Sequence, residues 1–341
     1  MISFRNFNIF LLSTILLFFA GCKMPFKSKK IQLNTALDGI DAIVEPVKPA
    51  PQVTVWIHGT QLTPKVVMPN FFHREIGLNP ALVYAERYHL RKIAESFNTQ
   101  DSELYPLENF YIFGWNGKLS FVERQRESQE LYYELMNLYD IYHEKYGVAP
   151  HMRLITHSHG GNVALNLARV KERNHPLIIS ELIMLACPVQ AETMHLINDP
   201  LFKKIYSFYS EADLIQVIDP QGLYHNTIQS HALFSKRLFP QHPHVCQIKT
   251  KFSKRGLAHV EFLLIKFLRH LPNILKDVTE QQRADNNNFA VSIISETKRG
   301  ARKKKLTHPF VITAEQPSQS PSHQFAQKQV IQMVTQNEEV A

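Results

Sequence analysis

Over the middle of the chain, short apolar runs alternate with longer amphipathic stretches. The runs "QVTVWI" (Gln52–Ile57), "FYIFGW" (Phe110–Trp115), "HMRLIT" (His151–Thr156), "KIYSFYS" (Lys204–Ser210) and "HVCQIKT" (His244–Thr250) read as strands, and "LIISELIMLA" (Leu177–Ala186) contains another. A long helix is expected from about Ser120 to Tyr146, with Leu131, Leu135, Leu138 and Tyr142 at helical spacing on one face and Gly147 ending it. Further helices are expected at Gly160–Glu172 and at Leu257–Leu275. Strands that are apolar throughout and separated by helices predict an α/β fold, with a mostly parallel central sheet flanked by helices on both faces.

The flanks differ from this body. Residues 1–21 hold one basic residue, Arg5, and then an apolar run from Ile9 to Phe19, which is the pattern of a signal peptide. Residues 22–50 are polar and punctuated by proline, which predicts a linker. The body is expected over 51–276, and 277–341, rich in Gln, Asn, Ser and Lys, is expected to be a mostly disordered tail with a short helix near Gln327–Thr335. The small residues Ala20 and Gly21 directly before Cys22 resemble a bacterial lipoprotein signal, and that resemblance implies lipidation of Cys22. The alternative is an uncleaved anchor, since Lys23, Lys27, Lys29 and Lys30 outnumber Arg5 across the apolar run. Both readings tie the protein to a membrane, and the first places it in the bacterial cell envelope.

Composition adds little to this. The 341 residues carry a formal charge of +8, but the basic clusters Lys27–Lys30 and Lys298–Lys305 lie in the flanks, so no nucleic-acid partner is expected. Zinc-type Cys/His spacing, a P-loop and a dinucleotide glycine motif are absent from the sequence, and no metal or organic cofactor is expected. Cys187 and Cys246 sit in apolar runs and are expected as buried free thiols.

The candidate chemistry centres on "LITHSHGGN" (Leu154–Asn162). Ser158 falls between a strand and a helix and is followed by Gly160 and Gly161, as a nucleophile elbow requires, although Thr156 occupies the first glycine position of G-x-S-x-G. The competing reading is a Gly-rich turn with an N-capping serine. A nucleophilic serine needs a base and an orienting carboxylate. Asp213 follows the strand "KIYSFYS", with Glu211 and Asp219 as rivals. His259 follows the last strand, with His231, His242 and His244 as rivals. An oxyanion hole is expected from the backbone N–H of His159 and from the loop "HGTQ", through Thr60 or Gln61, where Gly59 permits close approach. His58, Gly59 and Trp115 are candidate substrate contacts, with a core position for Trp115 as the alternative.

The segments "HGT", "FGWNGKLS" and "THSHGGN", in this order, resemble the α/β-hydrolase superfamily, in particular its lipase- and esterase-like members with "HSHGG" elbows. The resemblance implies an α/β-hydrolase fold with Ser158 as nucleophile, His259 as base and Asp213 as acid. It further implies cleavage of an ester or lipid-like substrate through an acyl-enzyme. A membrane-tethered scaffold that keeps the fold without turnover is the alternative from another functional class. Thr63–Leu90 and Gln221–Pro243 are the expected cap elements.

Overall fold

The computed structural model describes residues 49–60, 75–172, 176–218, 235–282, 287–294 and 309–315. The signal segment, Cys22, Gln61, Asp219, His231 and the Gln327–Thr335 helix lie outside the described residues.

The described strands form one sheet. In chain order they are β1 (Gln52–Ile57), β2 (Gly77–Pro80), β3 (Phe110–Gly114), β4 (His151–His157), β5 (Ile179–Leu185), β6 (Ile205–Tyr209), β7 (Val245–Phe252), β8 (Arg255–Gly256), β9 (Asn288–Ile293) and β10 (Phe310–Ala314). Across the sheet the order is β2-β3-β1-β4-β5-β6-β7-β9-β10, with β8 paired to β7. All neighbours from β3 to β9 along this path run parallel; β2, β8 and β10 pair antiparallel.

The helices are α1 (His89–Gln100), α2 (Phe121–Tyr146), α3 (Gly160–Val170), α4 (Ile265–Leu268) and α5 (Leu271–Gln281). Ser120 caps α2 by accepting the Glu123 N–H, and Gly147 ends it at φ +73°, a left-handed conformation that suits glycine. Alternation along the strands splits the core into two layers. Val53, Val55, Ile57, Met152 and Leu154 pack with Leu131 and Leu135 of α2 and Val163 and Leu167 of α3. Trp56, Ile155 and Ile183 face the other way, with Phe97 of α1, Phe267 of α4 and Ile274 of α5. Helices therefore cover both faces, and this architecture is the α/β-hydrolase fold.

Three expectations change. The closing helix is not continuous: it begins as a 3-10 turn, His259–Leu263, then becomes α4 and α5, with Pro272 in the first turn of α5, where its missing N–H costs nothing. The body does not stop at residue 276. α5 continues to Gln281, and β9 and β10 extend the sheet, burying Phe289, Val291 and Ile293 against the α5 side. Finally, the described part of Thr63–Leu90 is the edge strand β2, a short 3-10 turn and the start of α1 rather than a cap.

The site follows from the connections. β1 has β3 on one side and β4 on the other, so the chain reverses direction across the sheet at β1 and opens a crevice beyond the carboxyl ends of β1 and β4. His58 and Ser158 are the first residues past those two ends.

Candidate active site

Between the end of β4 at His157 and the start of α3 at Gly160, only Ser158 and His159 make the turn. Ser158 takes φ +53°, a left-handed backbone that costs a non-glycine residue about 1–3 kcal/mol. Two hydrogen bonds hold it there: its N–H donates to Leu185 O at 2.8 Å, and its carbonyl accepts from Gly161 N–H at 3.0 Å. The glycines are needed for space. A Cβ on Gly160 would stand 2.5 Å from His58 O and 2.6 Å from Ile57 O, and one on Gly161 would stand 2.5 Å from Cys187 Sγ. Thr156, in the place of the usual first glycine, stays inside β4 in register with Ile57 and Met184, and its hydroxyl donates to Ile183 O at 3.4 Å. The sharp turn survives that replacement because it begins two residues later.

Asp213 and His259 come together from separate loops. His259 Nδ1 lies 2.8 Å from Asp213 Oδ2, both side chains being buried. A carboxylate accepts, so Nδ1 is the donor of this bond, and in the neutral ring that leaves the lone pair on Nε2. The second carboxylate oxygen accepts from Gln216 N–H at 3.0 Å. Arg237 holds the acid turn from below: Nε donates to Ser210 O at 3.0 Å, and Nη2 to Glu211 O at 3.3 Å and Asp213 O at 2.8 Å. Gln216 Nε2 ties the same turn to Cys187 O at 2.9 Å, just past β5. Among the rivals, Glu211 faces solvent and pairs with Lys249 at 2.6 Å, His244 Nε2 sits 2.6 Å from Ile197 O, and His242 packs against His244. Among the described residues no hydrogen bond joins the Ser158 hydroxyl to the His259 ring.

The loop after β1 lies against the nucleophile. A Cβ on Gly59 would stand 2.7 Å from Ser158 Cβ, so only glycine lets the two loops approach this closely. The backbone N–H groups of Thr60 and His159 make no hydrogen bond among the described residues, and neither does the buried Thr60 hydroxyl. His58 is a strut for this loop. Its Nδ1 donates to Gly59 O at 2.6 Å and its Nε2 accepts the Trp115 N–H at 3.1 Å, while Trp115 Nε1 donates to His58 O at 2.8 Å. The two rings stack with centroids 5.4 Å apart. Trp115, expected among the substrate contacts, is therefore placed in the core with its indole N–H already used; it is 1% exposed. Asn116 likewise turns to α2, donating to Glu123 and Glu127 at 2.6 and 2.7 Å.

The two histidines flanking Ser158 are both buried and neutral. Burial, then the neighbouring His259, pushes His157 down to about 3. Burial, then the Arg124 guanidinium, pushes His159 well below the usual imidazole range. Asn162 sits beside the His159 ring and anchors α3 to the loop after β5, donating to Pro188 O at 3.0 Å and accepting from the Thr193 hydroxyl. Sequence reasoning passed over Arg237, Gln216 and Asn162. Their partners are mostly backbone carbonyls of distant segments, and no local pattern marks such bonds.

No family profile matches the chain, and no curated protein matches it. Solved structures do. Phospholipase PlaB from Legionella pneumophila, in complex with thio-NAD, is 18% identical over 40% of this chain, with a TM-score of 0.26. The chain spans 25% of that phospholipase's length. Esterase PE8 is 10% identical over 67% of this chain and 93% of its own, with a TM-score of 0.35. A hyperthermophilic esterase from the archaeon Pyrobaculum calidifontis is 10% identical over 69% of this chain and 79% of its own, with a TM-score of 0.37.

Proposed function

We propose that this protein is a serine hydrolase that cleaves a carboxylic ester through an acyl-enzyme. The buried His259–Asp213 hydrogen bond, tied through His157 to the strand end that carries the strained Ser158, carries this reading. Ser158 Oγ attacks the ester carbonyl as His259 Nε2 takes its proton, and Asp213 stabilises the imidazolium that forms. The N–H groups of His159 and Thr60, which make no hydrogen bond among the described residues, donate to the oxyanion as it develops in this reading. Collapse expels the alcohol, which receives the proton from His259. Water, deprotonated by His259, then attacks the acyl carbonyl and returns Ser158 to its free form, so one ester and one water give one acid and one alcohol.

The substrate class we infer is an acyl or lipid-like ester presented at a membrane. The tether rests on the sequence "AGC" ending at Cys22. Metabolic labelling with a palmitate analogue is expected to mark the wild-type chain and not Cys22→Ser; equal labelling of both would refute lipidation there.

Ester turnover tests the main reading. Ser158→Ala is expected to lower hydrolysis of p-nitrophenyl butyrate by at least about 1,000-fold with the fold retained. Undiminished turnover in that variant would exclude Ser158 as nucleophile. A folded wild-type chain that cleaves no ester would point instead to a binding protein on a hydrolase scaffold.

A further inference from the structure

His157 is the last residue of β4 and the direct neighbour of Ser158, and its ring is buried between two loops of the site. On one side, Nε2 lies 3.1 Å from the backbone carbonyl of His259, and the two imidazole centroids are 4.8 Å apart at a 55° tilt. On the other side it meets the loop after β1, where a Cβ on Gly59 would stand 3.0 Å from His157 O and 3.2 Å from His157 Nδ1. A carbonyl only accepts, so the ring proton is on Nε2 and donates to His259 O. The neutral ring is the form that burial favours here.

His259 thus has two anchors. Asp213 holds its ring at Nδ1, and His157 holds its backbone carbonyl. The first sets the tautomer and orientation of the imidazole. The second fixes where the residue sits, and it does so from the strand that carries the nucleophile. We propose that His157 is a positioning residue: its Nε2–H bond to His259 O sets the distance between the base and Ser158 by tying both to the end of β4. The proposal rests on the reading of His259 as base. It gives a role to one of the two histidines that bracket the serine, and it predicts that the donor, rather than the bulk of the ring, is what the site needs.

The test separates donor from bulk. In His157→Gln the side-chain amide nitrogen reaches the Nε2 position, whereas in His157→Asn, of similar polarity, it falls one bond short. With p-nitrophenyl butyrate, His157→Asn is expected to lower kcat about 10- to 100-fold, the scale of a misplaced base, with KM within about twofold of wild type. His157→Gln is expected to keep kcat within about threefold of wild type, on the same scale of displacement. Rates of reaction with a fluorophosphonate should follow the same order, and thermal melting should report both variants folded. Equal kcat in the two variants, whether high or low, overturns the proposal. If His157→Asn does not fold, His157→Gln alone decides: retained kcat supports the positioning role, and lost kcat or lost folding overturns it. Failure of the underlying reading looks different, because the wild-type chain would then not react with the fluorophosphonate at Ser158.

Discussion

β4 carries a buried polar cluster near each end, and the two are built on opposite terms. Near its start, Arg153 is 2% exposed and closes on the protein: Nε donates to Glu181 at 2.5 Å, Nη1 to Leu104 O at 3.0 Å, and the guanidinium lies 4.6 Å from the Tyr105 ring. At its far end the Ser158 backbone is strained, the His159 and Thr60 N–H groups make no hydrogen bond among the described residues, and the His259 ring is oriented at Nδ1 by Asp213. Both ends bury charge, and at each of them burial shifts the pKa of a neighbour, Tyr105 up to about 12, against the pull of Arg153, and His157 down to about 3. Buried charge is therefore a poor marker of chemistry by itself. What separates the two ends is position at the topological switch point and the strained backbone of the serine placed there.

Substitutions should widen that contrast. The largest effect is expected at the far end: Asp213→Asn removes the group that fixes the His259 tautomer and should lower kcat about 10,000-fold, against p-nitrophenyl butyrate, with little change in melting temperature. A comparable kcat in this variant would mean that another acid serves. Gly160→Ala comes next, because its methyl group meets two backbone oxygens that have no room to retreat. It should cost about 1–3 kcal/mol by denaturant unfolding and reduce activity together with stability. Wild-type stability would show that the turn adapts.

At the near end, Arg153→Met should cost about 1–3 kcal/mol, less than a fully buried pair because Glu181 keeps partial access to solvent. Its kcat should stay close to wild type, and a kcat loss above tenfold would erase the distinction between the two ends. The smallest effect concerns acid. His157 has a depressed folded-state pKa, so its neutral form stabilises the fold fully above the unfolded value near 6.5, and that stability is lost as pH falls toward about 3. His157→Gln should therefore lose less stability than wild type between those limits; a parallel decline in both would remove His157 from the acid response.

Much of the frame was legible in the sequence. The strands β1 and β3 to β7 announce themselves as apolar runs bounded by turn residues, and α2 by its leucine spacing and Gly147; the edge strand β2, "GLNP", does not. Strand order is what places Asp213 and His259 in the loops where the structure brings them together. The C-terminal edge was not legible in the same way. "NFAVSI" does alternate, with Phe289, Val291 and Ile293 inward, but six residues of alternation are swamped by the surrounding Asn, Gln and Lys. The break in the closing helix was signalled by Pro272 and went unread. The supporting bonds from Arg237, Gln216 and Asn162 had no sequence signature, since each joins a side chain to backbone or side-chain atoms fixed only by the finished fold. The histidine before the serine was visible, but its role depends on a carbonyl about 100 residues away.

The central claim is that Ser158 is the activated nucleophile of the far-end cluster. The most direct measurement is mass spectrometry of the intact, folded chain after exposure to a fluorophosphonate. A single adduct is expected on the peptide that contains Ser158, and none on Ser158→Ala. An adduct on another residue, or no adduct on a folded wild-type chain, would contradict that claim.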